Sequence, residues 1–287
     1  MQSLLRVSRR SVVLSAVGTL AALSFTVAGC GGGSNTTTIA GPTRIVTGQS
    51  QTVSGATSGT WARLDATNAV IEAGVTVPFS LIQNPPAAEV HRATRHAGHD
   101  DSTIEVGTVG PAGSFIVVEF PSIVKQNTYL NHFEMHWNPE GHPPARYAAK
   151  HFDLHFYHSS VAEVLTITPP DLVPPAANRI PAGYIYPGAQ ETVPQMGVHA
   201  VDGSEFAPGA PPFLASMILG YFNGNMHFIE PMITQAALLT KQTITLNVPR
   251  PAVLGMATRY PTKFTATYSA ELDAYQFVFT DFVNVSQ

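Results

Sequence analysis

The chain has 287 residues, with 15 lysines and arginines against 19 aspartates and glutamates, and a formal net charge of −4. That length can bury a sizeable core in one large or two small domains, and a hydrophobic content of 44% supports such a core. Charged residues make up 12%, about half the usual share, which disfavours a basic nucleic-acid-binding protein, a long charged helix and a coiled coil. Eleven histidines beside a single cysteine are the unusual feature of the composition.

The first 30 residues have the layout of a bacterial lipoprotein signal. Three arginines precede an apolar stretch from 12 to 27, which ends in small residues immediately before Cys30, the only cysteine. The pattern predicts removal of residues 1–29 and lipid attachment to Cys30, and so an extracytoplasmic protein anchored to a membrane in the periplasm or cell envelope. A transmembrane anchor is disfavoured, because the stretch falls short of about 18 clean apolar residues. Ser8-Arg9-Arg10 also resembles a twin-arginine signal, which leaves the export route open.

Removal of that signal would leave 258 residues, a net charge of −7 and every histidine. This acidic balance opposes nucleic-acid binding. Residues 30–60 begin with glycines, serine and threonines and are predicted to be a flexible tether. Residues 61–287 are predicted to be a single domain.

That domain has the pattern of short strands joined by turns. Proline and glycine interrupt it frequently, long amphipathic helical patterns are absent, and β-rich runs lie at 115–120, 243–248 and 275–279. Asn223-Gly224 suits a type I′ turn between strands at 217–221 and 226–229, and a second hairpin follows 264–268. We therefore predict a mainly β fold, a single antiparallel β-sandwich or barrel with a few short helices. The segment 85–101, with His91, His96 and His99, is predicted to be an exposed loop.

Six of the eleven histidines lie between His132 and His158. Within this stretch, residues 132–136 and 151–155 each have the form His-x-acid-x-His, with Glu134 and Asp153 as the acids. Histidines four positions apart share a face in a helix and in a strand, but the central acid joins them only in a strand. The aromatic content and the Asn-Pro step at 138–139 favour strands. Paired side by side, the two strands would present four imidazoles and two carboxylates on one face.

Imidazoles and carboxylates together are ligands for zinc, iron, manganese or copper, although the carboxylates can instead orient the imidazoles from outside the ligand set. His199, after a glycine, and Glu230, at a strand end before a proline, could complete the site. Glu230 is favoured over His227, because a carboxylate within an apolar run needs a cation or hydrogen-bond donors. We predict a divalent transition metal, zinc, iron or manganese, bound by His136, His151, His155, His199 and Glu230. One or two of these would orient the others, and His132, His142 and Asp153 are further candidates.

Four runs, in chain order, resemble the bacterial TTHB210-like domain family. They are His-Trp-Asn-Pro-x-Gly-His-x-Pro at 136–144, His-Phe-Asp-x-His-Phe-Tyr at 151–157, Met-Gly-x-His at 196–199 and Phe-x-Glu-Pro-Met at 228–232. The resemblance extends over about residues 68–285, and it departs from the family at Lys150, where a proline is expected. It implies a β-rich extracytoplasmic domain, compatible with a homo-oligomer, that has no established activity.

The chain lacks a Gly-x-Ser-x-Gly elbow, a phosphate-binding loop, a dinucleotide fingerprint and a Cys-x-x-Cys pair. Serine hydrolases, nucleotide enzymes and thiol redox proteins are therefore disfavoured. Three functions stay open. The first is a metal-binding lipoprotein that hydrolyses or oxygenates an unidentified small molecule, and the second is a cupin-like dioxygenase that uses iron or manganese at the same site. The third is a non-catalytic envelope or stress protein that self-assembles or binds a partner, with structural histidines. The sequence does not decide whether the protein is an enzyme.

Overall fold

The structure, a computed structural model, describes residues 42–86 and 111–287. Within these ranges the chain forms fourteen β-strands and four short α-helices. The strands are β1 (Arg44–Val53), β2 (Ala56–Leu64), β3 (Val70–Pro78), β4 (Ile116–Glu119), β5 (His132–Asn138), β6 (His151–Tyr157), β7 (Tyr184–Ile185), β8 (Thr192–Val193), β9 (Gly197–Asp202), β10 (Ala215–Phe222), β11 (Asn225–Thr234), β12 (Ile244–Asn247), β13 (Thr258–Ser269) and β14 (Ala274–Val285). The helices are α1 (Phe79–Gln83), α2 (Ser122–Asn127), α3 (Val161–Val164) and α4 (Gln235–Leu239). No helix in the described part of the chain is long and apolar enough to span a bilayer.

The strands form two antiparallel sheets. One has the order β1-β2-β3-β14-β13-β12, and the other has the order β4-β5-β6-β11-β10-β9-β7, with β8 paired to β9. The hydrophobic core lies between the sheets. Phe156 of the second sheet, for example, lies 4.7 Å from Phe279 and 6.2 Å from Phe264 of the first, measured between ring centroids. The predicted mainly β fold is confirmed, and a sandwich is the architecture observed.

Alternation along the strands determines which side chains enter this core. Phe133 and Met135 of β5 and Phe152, Leu154 and Phe156 of β6 are fully buried in the cluster between the sheets. Because successive side chains point to opposite faces of a strand, the intervening residues of β5 and β6 project from the outer face of the second sheet. The histidines and carboxylates of both segments occupy these intervening positions.

Two glutamines of β1 join the sheets at one side of the sandwich. The Gln49 side-chain oxygen accepts a hydrogen bond from the Glu119 amide at 3.1 Å, and the Gln51 oxygen accepts one from the Val117 amide at 2.7 Å. The Gln51 amide nitrogen donates to the Phe115 carbonyl at 3.3 Å. Side chains of one sheet thus satisfy the outer backbone groups of β4, the edge strand of the other.

The predicted strands and hairpins of the domain are confirmed. The runs at 115–120, 243–248 and 275–279 contain β4, β12 and part of β14, and the runs around 264–268 and 274–279 pair as β13 and β14. Asn223 and Gly224 join β10 to β11 with φ angles of 50° and 73°. Both values are positive, as a type I′ turn requires.

The predicted tether at 30–60 and the domain start at residue 61 are wrong from Arg44 onward, since β1 and β2 occupy Arg44–Leu64. Residues 44–64 are also rich in threonine, serine and glycine, but they form a half-exposed edge hairpin whose Val46 and Val53 pack on the core. The signal segment, Cys30, and the predicted loop histidines His91, His96 and His99 lie outside the described residues.

Candidate metal centre

Strands β5 and β6 pair antiparallel in a register that aligns their polar side chains. Glu134 lies opposite His155, and His136 lies opposite Asp153. The predicted face of four imidazoles and two carboxylates is therefore present, and none of its members is more than 6% exposed: His132, Glu134, His136, His151, Asp153 and His155. Burial of this many ionisable groups requires hydrogen bonds or bound cations, because each charge is costly to remove from water.

Two small apolar clusters flank this polar face on the outer side of the sheet. Tyr147 and Phe213, from loops, pack with Ile218 and Met232. A second cluster brings together Tyr157, Val164, Met196 and Phe228. These side chains limit the access of water to the imidazoles and carboxylates, and so they strengthen electrostatic interactions among them.

Three side chains from three strands form what we term the central cluster: His155 of β6, His199 of β9 and Glu230 of β11. Their potential ligand atoms all lie within 4.8 Å of one another. The Nε2 atom of His155 is 3.6 Å from Oε1 of Glu230, and the Nε2 atom of His199 is 3.5 Å from Oε2. These separations exceed those of ordinary hydrogen bonds. They match the roughly 3.4 Å between two ligand atoms that are each about 2.1 Å from a tetrahedral ion.

The electrostatics of the central cluster favour neutral imidazoles. Burial lowers the pKa of His155 well below its usual value, and burial lowers the pKa of His199 to about 4. Burial, reinforced by the negative charge of Asp153, raises the pKa of Glu230 well above its usual value. Neutral imidazole is the form that binds metals, whereas the Glu230 carboxylate needs a nearby cation to become ionised here.

Buried polar atoms of the central cluster lack hydrogen-bond partners in the described structure. His155 is fully buried, and neither of its ring nitrogens has a hydrogen-bond partner in the described structure. Oε2 of Glu230 also lacks one. Buried polar atoms are nearly always hydrogen-bonded in folded proteins, so the unpartnered Nε2 atom of His155 and Oε2 atom of Glu230 make the central cluster a candidate site for a cation.

A second group, which we term the rim cluster, comprises His142, His151 and Asp153, whose potential ligand atoms also lie within 4.8 Å of one another. His142 follows β5 on a loop, and its side chain is 35% exposed, whereas His151 is fully buried. Burial opposes ionisation of Asp153, but the two imidazoles outweigh it and hold the pKa of Asp153 well below its usual range. Burial alone would lower the pKa of His142, but Asp153 raises it overall.

The predicted ligands are therefore divided by the fold. His155, His199 and Glu230 come together in the central cluster, while His151 joins the further candidates His142 and Asp153 in the rim cluster. His136 belongs to neither cluster.

The Nε2 atom of His136 lies 3.5 Å from Oε2 of Glu134, and its ring centroid lies 4.8 Å from that of His155. His132 contacts the other Glu134 oxygen at 3.1 Å. His136 therefore lies beside the central cluster. His227 lies outside both clusters, near the Ser159 hydroxyl.

Tyr157 also belongs to the polar face, although it was not predicted there. It continues the alternation 151, 153, 155 of β6, which is the signal that could have revealed it. Its ring stacks on His132 at 4.7 Å and lies 5.6 Å from His155, and its buried hydroxyl has no hydrogen-bond partner in the described structure.

Gly220 of β10 is also part of the site's construction. It lies opposite Phe228 and, on its other side, opposite His199. A Cβ atom at this position would lie 1.9 Å from Cε1 of Phe228. The Phe228 ring in turn packs against His155 at 4.9 Å and His199 at 5.1 Å. The absence of a side chain at Gly220 thus lets one aromatic ring support both imidazoles of the central cluster.

Comparison with known proteins yields no relatives. No protein-family model matches the chain, and neither a curated protein nor a solved structure is significantly similar to it. The function must therefore be inferred from the geometry of the site itself.

Proposed function

We propose that the protein binds a divalent transition metal, zinc, iron or manganese, through His155, His199 and Glu230. The observation that carries this proposal is His155, a fully buried imidazole whose unpartnered Nε2 atom is directed toward an equally buried carboxylate. Two imidazoles and one carboxylate are a ligand set used by hydrolytic zinc sites and by non-haem iron oxygenases.

The alternative of a purely structural histidine network is less well supported. A scaffold histidine is expected to donate from one ring nitrogen and accept at the other. His155 does neither within the described structure. Leaving such a buried atom unsatisfied would cost about 1–3 kcal/mol, and an ion bound at Nε2 would remove that cost at this atom.

One side chain of the central cluster is accessible to solvent. His155 and Glu230 are almost fully buried, but the His199 side chain is 23% exposed. We therefore expect water or a small-molecule substrate to reach the site from the side of His199. A bound ion would supply activated water or dioxygen chemistry, depending on the metal. His136, whose Nε2 atom is buried and unpartnered beside the cluster, is the side chain placed to accept a proton.

Elemental analysis of natively purified protein tests the proposal. We expect bound metal in the wild-type protein, and one equivalent less in Glu230→Gln. His158→Ala is the matched control, because His158 is a partly buried histidine that stacks on Tyr129 and belongs to neither cluster. Equal metal content in the wild-type protein and Glu230→Gln, or no metal even after refolding with excess zinc, iron or manganese, would overturn the proposal. Zinc would favour hydrolysis, and iron or manganese would favour oxygenation.

The cellular location is proposed from the sequence alone. The arginine-rich start, the apolar stretch and the small residues before Cys30 support an extracytoplasmic lipoprotein anchored to a membrane through that cysteine. Transition-metal ions present outside the cytoplasm would then reach the site directly.

A further inference from the structure

The two imidazoles of the rim cluster are oriented by backbone carbonyl groups. Nδ1 of His151 donates to the carbonyl of Ala149 at 2.6 Å, and Nδ1 of His142 donates to the carbonyl of Pro143 at 2.8 Å. A carbonyl oxygen can only accept a hydrogen bond, so both Nδ1 atoms carry the proton. In the neutral imidazoles, each Nε2 atom is therefore an electron-pair donor.

Both of these Nε2 atoms face the same carboxylate. The Nε2 atom of His142 is 3.6 Å from Oδ2 of Asp153, and the Nε2 atom of His151 is 3.1 Å from Oδ1. Asp153 is only 6% exposed, and its Oδ1 atom has no hydrogen-bond partner in the described structure despite this close approach. Two electron pairs and a carboxylate thus converge at one point. The side-chain amide of Asn138 is a hydrogen-bond donor beside them, 2.7 Å from Oδ2 of Asp153 and 3.5 Å from Nε2 of His151, but it leaves Oδ1 of Asp153 and Nε2 of His142 to a cation.

The surroundings of the rim cluster have the pattern found around metal ligands. Ligating histidines usually donate their other ring N–H to a carbonyl or carboxylate, and ligating carboxylates are themselves hydrogen-bonded. Here both histidines meet the first condition, and Asn138 donates from Nδ2 to Oδ2 of Asp153 at 2.7 Å. The aromatic ring of Phe213 packs edge-on against His151 at 5.4 Å, which restricts its rotation.

We propose that the rim cluster is a second site for a divalent transition metal, with Nε2 of His142, Nε2 of His151 and the carboxylate of Asp153 as its protein ligands. The two sites would each hold one ion without a bridging carboxylate. Asp153 and His155 are two residues apart on β6, which separates them by about 7 Å along the strand. Ions bridged in a two-metal site lie only about 3.5–4 Å apart.

The two sites differ in access to solvent. His142 belongs to a loop and its side chain is 35% exposed, whereas the least buried ligand of the central cluster, His199, is 23% exposed on a strand. We therefore expect a chelator to remove the rim ion first. This inference concerns residues other than those of the proposed central site, and it can hold or fail independently.

Titration of the chelator-treated, full-length protein with Zn²⁺ at neutral pH tests the inference. Two bound equivalents are expected for the wild-type protein and one each for Asp153→Asn, His142→Ala and Glu230→Gln. Glu140→Gln is the matched control: it removes an exposed carboxylate from the same loop and should leave two equivalents. Asn138→Ala should weaken the rim ion about 10- to 100-fold, as the loss of a supporting partner usually does.

The outcomes separate the two sites. Loss of one equivalent of Zn²⁺ in Asp153→Asn or His142→Ala supports the rim site. His142 lies on a loop, so His142→Ala keeps the test valid even when Asp153→Asn does not fold. The rim site is overturned if His142→Ala binds as many equivalents of Zn²⁺ as the wild-type protein. It is also overturned if the wild-type protein binds one equivalent and only Glu230→Gln abolishes that binding. A single equivalent that His142→Ala abolishes and Glu230→Gln keeps would support the rim site and overturn the central one. No binding would overturn both.

Histidine-selective ¹⁵N NMR gives a second readout. Zn²⁺ should shift the Nε2 resonances of His142 and His151 while their Nδ1 atoms stay protonated. Unchanged Nε2 resonances at saturating Zn²⁺ would overturn the rim site whatever the stoichiometry.

Discussion

Replacing Glu230 by glutamine should change how the stability of the metal-free protein depends on pH. Glu230 is 1% exposed, and burial raises its pKa in the folded chain. Between its unfolded pKa and the raised folded pKa, the folded protein keeps a proton that the unfolded chain has lost. The contribution of Glu230 to stability is therefore complete at low pH and is lost as the pH rises.

The size of this pH effect on the free energy of unfolding follows from the one extra proton that the folded protein binds. While the folded carboxyl stays protonated, the free energy of unfolding should fall by about 1.4 kcal/mol for each pH unit above roughly 4.5. Glutamine has a similar shape and no titration, so it should remove this slope. The lowered pKa values of His155 and His199 act in the opposite direction below about pH 6.5, but they are common to both proteins and largely cancel from the comparison.

Urea unfolding in the presence of a chelator, at several pH values between about 5 and 7, measures the difference. Glu230→Gln should become more stable than the wild-type protein as the pH rises, by about 1.4 kcal/mol per unit. Excess Zn²⁺ should reverse the order. An ion at 100 times its dissociation constant stabilises the protein that binds it by about 2.7 kcal/mol, and the glutamine variant lacks the anionic ligand.

Parallel pH profiles for the two metal-free proteins would refute this reasoning. They would mean that the folded carboxyl titrates as it does in the unfolded chain, with the imidazoles compensating its charge. A Zn²⁺-induced stabilisation of equal size in both proteins would refute the assignment of Glu230 as a ligand.

Three further predictions concern residues around the site and the membrane anchor. Gly220→Ala should destabilise the protein by about 1–3 kcal/mol in thermal unfolding and weaken Zn²⁺ binding in calorimetry, because its Cβ atom would displace the Phe228 ring; unchanged values would contradict that role. Tyr157→Phe should stabilise the metal-free protein by about 1 kcal/mol in urea unfolding, because it removes a buried hydroxyl that lacks a partner, and a loss of stability would show that the hydroxyl is bonded. Cys30→Ala should abolish incorporation of a labelled fatty acid in vivo, and persistent labelling would disprove lipid attachment at that residue.

The fold could be predicted from the sequence because its local signals agree with one another. The β-rich runs, the Asn223-Gly224 turn and the alternation within 132–136 and 151–155 all indicated antiparallel strands. The first hairpin could not be recognised, because its serines, threonines and glycines resemble a linker. Its strand character depends on pairing with β3 and on side chains that reach β4, contacts that no local pattern shows.

Most residues of the site could be predicted from the sequence, but their division into a central and a rim cluster could not. Alternation within each segment correctly placed the imidazoles and carboxylates on one face, because that depends only on the period of a strand. Whether His151 belongs with His155 or with His142 depends on the sheet order β6-β11-β10-β9 and on where the loop after β5 returns, and both arise from long-range contacts. The resemblance to the TTHB210-like family remains a prediction.

The glutamine contacts between β1 and β4 also bear on the solubility of the protein. An edge strand with free amides and carbonyls can take up a strand from another molecule, and this is a common route to aggregation. At β4, an incoming strand would first have to displace Gln49 and Gln51 from Phe115, Val117 and Glu119. The polar hairpin that looked like a linker thus protects this side of the sandwich from intermolecular β-pairing.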